Sequence, residues 1–302
     1  MSRARWLALG IGPCLLIGLS FLVAAPATSE RRSPALPPLP TPDGNLVQAC
    51  QVVADQYVEV LPSHWRTLVR PPYVLAGDLS DAELDAVYRN TIAPTARALA
   101  VNYFDRSPTE PIAVLLLSSP ESYQHCTTLL GHGDREEYAG IYVRAERRLV
   151  LNVSTGEGTV AHELTHALAH VDFPDMPEWF DEGLASLHEE CEFSDDGLRL
   201  IGSPNWRGKL LQQSLAAKQL PPLAELLTKR FGRGAGGPLD YAQARYLCLF
   251  LQERQLLGAF YRKCRANIAV DPTGGWSLAA VLGQDTIDGV DTGFRAWLAT
   301  AK

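Results

Sequence analysis

The chain has 302 residues, 46% of them hydrophobic, a composition that excludes wholesale disorder and collagen-like repeats and fits one large domain or two small ones. Lys and Arg number 27 against 34 Asp and Glu, for a formal net charge of −7, and no basic run stands out, so a nucleic-acid partner is not expected. Six cysteines are too few for a disulfide scaffold of this length.

Arg3 and Arg5 precede an uncharged, mostly apolar stretch from Trp6 to Ala25, and Ala25-Pro26-Ala27 offers small residues where an export peptidase cuts. Residues 1–27 therefore read as a signal peptide or as an N-terminal anchor. The apolar stretch, about 20 residues long, is enough to span a bilayer and to attach the chain through residues 6–25. On either reading the rest of the chain is expected to be exported: periplasmic, secreted, or extracytoplasmic and membrane-anchored. Residues 28–44 contain Pro34, Pro37, Pro38, Pro40 and Pro42 and read as an extended linker. The domain itself is expected over 45–302, its sheet-containing part over about 45–172 and its helical part over about 173–302.

Within the domain a helix is expected near 45–59, a short strand at Tyr73–Ala76, and a helix from Ser80 to Val101 opened by a Ser80/Glu83 capping box. Ile112–Leu117 reads as a buried strand and Pro120–Leu130 as a helix. Ile141–Val143 and Leu149–Val153 read as a strand hairpin, and from Ser154 onward the pattern is almost all helical. The order implies an α+β fold: a small mixed sheet, then a mainly helical half. Cys50, Cys126, Cys191, Cys248 and Cys264 are odd in number, so at least one lacks a partner within the chain, and Cys248 reads as a core residue.

The chemical centre is His162-Glu163-Leu164-Thr165-His166. Ser154 and Glu157 suggest a capping box that starts its helix, and Val160, Leu164, Ala167, Leu168 and Val171 form an apolar stripe. His162 and His166, four residues apart, share a face away from that stripe, so both imidazoles can bind one zinc ion (Zn2+). Glu163 beside them can act as general base toward water at the metal. Three sources compete for a third ligand. His170 points along the helix and reads as a residue supporting the site. Asp172 sits ten residues after His162, but Ala169 stands where a sharp turn would need glycine. In Pro177–Ala185, Glu182 follows His166 by sixteen residues, close enough for a second helix to fold back. Gly183 permits close helix approach; Glu178, one turn earlier, is the alternative, and Asp181 points elsewhere.

His162-Glu163-x-x-His166 followed by Trp179-Phe180-x-Glu182-Gly183-x-Ala185 resembles the gluzincin zinc metallopeptidases, closest to the peptidase-MA-like families of exported bacterial proteins. Tyr241–Ala244, Leu282-Gly283 and Phe294–Leu298 extend the resemblance over roughly 70–298. It implies a zincin-like fold, Glu182 as third zinc ligand, and a peptide or protein substrate. No Gly-x-Met-Glu-Asn segment precedes His162, which favours an endopeptidase over an aminopeptidase. The expected activity is zinc-dependent peptide-bond hydrolysis with Glu163 as base and the strand at Leu149–Val153 pairing with substrate. Tyr241, expected in the first turn of a helix capped by Asp240, is the candidate for stabilising a developing oxyanion. Two other expectations stand beside this one: a structural zinc in a non-catalytic exported domain, and a zinc amidase acting on a non-peptide substrate.

Overall fold

The computed structural model describes residues 43–133, 139–231 and 237–301. The chain divides into two units, Met1–Pro34 and Ala35–Lys302, and every described residue belongs to the second. The expected signal or anchor and nearly all of the proline-rich linker lie outside the described residues. Among the described residues no helix is long and apolar enough to cross a membrane.

The chain is α+β, with one small mixed sheet followed by a helical half. Helix α1 (Gly44–Val60) is capped by the Asp43 carboxylate on the Leu46 N–H. Strands β1 (Arg66–Arg70) and β2 (Tyr73–Gly77) pair antiparallel. Helices α2 (Asp81–Val87) and α3 (Ala93–Asn102) are joined without a break by a π-helical turn, Tyr88–Ile92. Ser80 and Glu83 form the expected capping box. Strand β3 (Ile112–Leu117) lies parallel to β2, and α4 (Pro120–Leu129) follows it. Strands β4 (Gly140–Val143) and β5 (Arg148–Asn152) form the expected hairpin, turning through Arg144–Glu146 and Arg147, whose φ is +48°.

The sheet order is β1-β2-β3-β5-β4. Its central strands are apolar on both faces because both are covered. One face packs on α1 through Leu46, Cys50, Ala54 and Tyr57. The other packs on α3 and on α5 (Glu157–Asp172). Strand β5 is therefore interior, hydrogen-bonded to β3 and β4. This corrects the expectation that Leu149–Val153 could pair with a substrate: both its ladders are taken, and the edge strand is β4.

Helix α5 starts at Glu157 behind Gly156, whose φ of +108° only glycine adopts readily. The expected Ser154/Glu157 cap is corrected here: Ser154 lies in a short 3-10 turn and bonds the Asn152 side chain instead. After Pro174 and Pro177 the chain reverses into α6 (Glu178–Glu189). A two-stranded ribbon that the sequence did not announce, β6 (Cys191–Phe193) with β7 (Leu200–Gly202), follows. Then come α7 (Arg207–Ala216), α8 (Leu223–Leu226), α9 (Pro238–Glu253), α10 (Leu257–Asn267), α11 (Gly275–Val281) and α12 (Ile287–Leu298). Helix α6 is sandwiched between α5 and α9. A Cβ on Gly183 would sit 2.6 Å from the Ala244 carbonyl oxygen of α9, so this glycine serves the α6–α9 contact. The α5–α6 contact relies on Gly158, whose Cβ would lie 2.3 Å from the Glu189 carbonyl oxygen. All five described cysteines are free, and Cys248 is fully buried in the core.

Candidate metal centre

The apolar stripe of α5 (Val160, Leu164, Ala167, Leu168) is buried, which turns the opposite face of the helix toward a cleft of about 560 Å³. His162, Glu163, His166 and His170 line that cleft from α5, Asp181, Glu182 and Glu189 from α6, Gly140–Tyr142 from the edge strand, and Tyr241 from α9. His162, His166 and Glu182 are brought together as the sequence implied. The two Nε2 atoms are 3.2 Å apart, and Glu182 Oε2 is 3.7 Å from His166 Nε2 and 3.9 Å from His162 Nε2. A point equidistant from these three atoms lies about 2.1 Å from each, the length of zinc–imidazole and zinc–carboxylate bonds. The donor set and its spacing therefore fit a zinc ion.

The surroundings tune these groups. Asp181 accepts a hydrogen bond from His166 Nδ1 at 2.7 Å and pairs with His170 Nε2 at 2.9 Å. It thereby fixes the His166 ring with Nε2 aimed at the ligand triangle. The expectation that Asp181 points elsewhere is corrected: the helix crossing aims it at the α5 face, while Glu178 turns outward to Arg230 and the Phe231 N–H. Burial pushes the His166 imidazolium down, but the Asp181, Glu182 and Glu163 carboxylates outweigh it and hold its pKa at about 10. A metal at Nε2 must displace that second proton. Burial and the neighbouring His166 and Arg207 keep His162 well below its ordinary value, in the neutral form a metal requires. Burial also works to raise the Asp181 carboxyl, yet His166 and His170 hold it far below the usual carboxylate range.

Glu163 is 9% exposed, and burial lifts its pKa to about 7, His166 opposing and the Glu182 and Asp181 charges adding. Its Cγ lies where a Cβ on Gly140 would come within 3.1 Å, so the first residue of the edge strand leaves room for it. A carboxyl poised near neutrality can both take and return a proton.

The remaining candidates are sorted by their contacts. Asp172 is buried away from the cleft. It accepts the backbone N–H groups of Asp105 and Arg106, the Tyr261 hydroxyl and the Arg265 guanidinium, so it is not a third ligand. Tyr241 stands in the first turn of α9 on the cleft wall, its ring edge-on to Phe231 at 5.1 Å. The cap of that helix is Gly237 and not Asp240, which instead accepts the Gly237 N–H. Tyr246 is core and bonds the Asn205 backbone. His188 is fully buried against Tyr103 and Thr165. The sequence reading missed Asp181, Glu189 and Arg207 as parts of the cleft. Their contacts depend on how α6 crosses α5, which residue spacing within either helix does not encode.

No family profile matches the chain. A curated protein of Shewanella amazonensis (strain ATCC BAA-1098 / SB2B), named tRNA1(Val) (adenine(37)-N6)-methyltransferase, is 31% identical to this chain over 153 residues. Those residues are 49% of this chain and 62% of that protein, so the chain spans less than two thirds of this relative. The similarity runs to a methyltransferase and not to a zinc peptidase. It overturns the expected membership of the gluzincin metallopeptidases, and with it the peptide-bond hydrolase activity and the metallopeptidase class. It overturns as well the peptide or protein substrate and the exclusion of nucleic acid. The physical reason lies in the motif: two histidines and a glutamate specify an ion, whereas the bond acted on is set by residues scattered over the cleft walls.

Proposed function

We propose that the cleft is a mononuclear divalent-metal centre whose donor set suits zinc. The observation that carries this reading is the His162–His166–Glu182 triangle, with its donor atoms 3.2, 3.7 and 3.9 Å apart on two helices locked by buried packing. A zinc ion bound there supplies a Lewis acid that lowers the pKa of water beside it. His162, His166 and Glu182 are the residues that would hold the ion. Asp181 keeps His166 in the tautomer that leaves Nε2 available. Glu163, whose carboxyl is held near pH 7 by burial, would serve as the acid–base group beside the ion. Tyr241 lines the same cleft and is the candidate to meet an oxygen that gains charge. The zincin-like expectation survives in this proposal as a description of shape alone: an edge hairpin, a ligand-bearing helix, and a returning helix with the third ligand.

The export reading of residues 1–27 is part of the same proposal and places the centre outside the cytoplasm. A second reading follows the relative: methyl transfer to an adenine of tRNA, supported by the 31% identity. The metal reading stands first because its three donor atoms are side chains of this chain already gathered in one cleft. Reconstitution of chelator-treated full-length protein with zinc is expected to restore one ion per chain. Incubation with tRNA and methyl-labelled S-adenosylmethionine tests the second reading, which predicts label on adenine. A chain that takes up no zinc and labels adenine reverses the order of the two readings. Cell fractionation separates them again, since a protein outside the cytoplasm does not meet tRNA.

A further inference from the structure

His166 has its supporting carboxylate in Asp181, but His162 lacks a hydrogen-bonded one. Its Nε2 faces the ligand triangle, which leaves Nδ1–H as the free donor of the ring once a metal is bound. The carboxylate facing it is Glu189, with Oε2 3.8 Å from Nδ1. That is nearly an ångström longer than a hydrogen bond of about 2.9 Å. Three features hold Glu189 there. Arg207, with a side chain only 15% exposed, donates to the same Oε2 at 3.2 Å. Gly158, one turn before His162 on the same face of α5, lets the Glu189 carbonyl come close enough that any Cβ would collide. Glu189 is also the last residue of α6, the helix that carries Asp181 and Glu182 in its first turns, so one rigid element reaches both histidines.

We infer that Glu189, anchored by Arg207, is the positioning residue for His162: it accepts the Nδ1–H of the metal-bound imidazole, as Asp181 does for His166. This rests on the metal reading above. Helix α6 then supplies the third ligand and both supporting carboxylates, and α5 supplies the two imidazoles and the base. Other groups on the facing elements leave this role to Glu189. Asp181 is committed to His166 and His170, and Glu190 bonds the Asn205 amide.

The test is a competition titration of zinc against a chromophoric chelator on the full chain, with the visible spectrum of the cobalt-substituted protein as a second readout. Loss of such a support typically weakens metal binding by about 10–100-fold. Glu189→Ala is expected to lose affinity in that range and to alter the cobalt bands. Glu189→Gln, which keeps an acceptor oxygen, is expected to recover most of the loss, and Glu190→Ala to match the parent. If Glu189→Ala does not fold, Arg207→Met, which releases the carboxylate, is expected to weaken binding in the same direction. Parent-like affinity in Glu189→Ala or Arg207→Met overturns the inference while leaving the metal centre standing. A parent that binds no zinc overturns both.

Discussion

Helix α5 carries two buried acidic sites, and they differ in how completely their oxygens are used. At its C-terminal end Asp172 is 1% exposed and receives four hydrogen bonds, from two backbone N–H groups, Tyr261 and Arg265. In its middle, Glu163 is 9% exposed and the side chain of the facing Glu182 of α6 is 20% exposed, and among the described residues neither carboxylate has a hydrogen-bond partner. A buried carboxylate without partners is costly. The Asp172 site has met that cost within the protein and ties α5 to α10 and to the segment after α3. In the cleft the carboxylate oxygens are not tied in this way to other elements of the fold. Burial alone does not separate a structural acid from a functional one; the unused acceptors do.

The contrast gives opposite signs for neutralising the two acids. Asp172→Asn is expected to destabilise the fold by roughly 3 kcal/mol, the lower end for breaking a buried ion pair, because Arg265 keeps Asp105 as a partner. Zinc binding is expected to persist. Chemical denaturation and metal analysis on one sample check both halves. Gly183→Ala tests the clamp that holds the ligand helix. With the Ala244 carbonyl in the way, overpacking is expected to cost roughly 2 kcal/mol and to weaken zinc binding as α6 shifts.

His188 marks a third buried titratable group between these elements. Burial, with Arg245 adding, holds its pKa at about 3. The folded state keeps it neutral while the unfolded chain takes a proton below about 6.5. Stability should thus fall as pH drops from about 6.5 toward 3, by up to about 1.4 kcal/mol per unit. Stability curves of parent and His188→Phe at pH 7 and 5.5 are expected to diverge in slope by that amount. Glu163→Gln is expected to act with the opposite sign to Asp172→Asn. Because folding raises the Glu163 pKa from 4.5 to about 7, the parent loses stability as pH rises through that window. The metal-free variant escapes the loss and is expected to be more stable at pH 8 by up to about 3 kcal/mol, while zinc binding is kept. Loss of stability at pH 8 would place Glu163 with Asp172 as a structural acid.

Much of this was legible in the sequence. The buried strands β2, β3 and β5 are runs of apolar residues bounded by turns, and α5 and α6 announce themselves through stripe, proline and motif. Strand β1 escaped because Arg66 and Arg70 flank only three residues of strand pattern, and β6 and β7 because three residues carry no period. The π turn in Tyr88–Ile92 changes hydrogen bonding without changing composition. In the centre, the ligands were readable because i, i+4 spacing is intrahelical. Asp181 was misassigned and Glu189 unseen because their targets lie on the other helix, approached closely at Gly158. The substrate was the least legible part, and the similarity to a tRNA methyltransferase overturned the expectation of a peptide.

The most direct measurement is X-ray absorption at the zinc edge on the reconstituted full chain and on Glu182→Ala. The account predicts one zinc with two imidazoles and oxygen ligands at about 2.0–2.1 Å, and an empty or weakly occupied site in the variant. A parent without zinc, a thiolate shell at about 2.3 Å, or an unchanged spectrum in Glu182→Ala would contradict it.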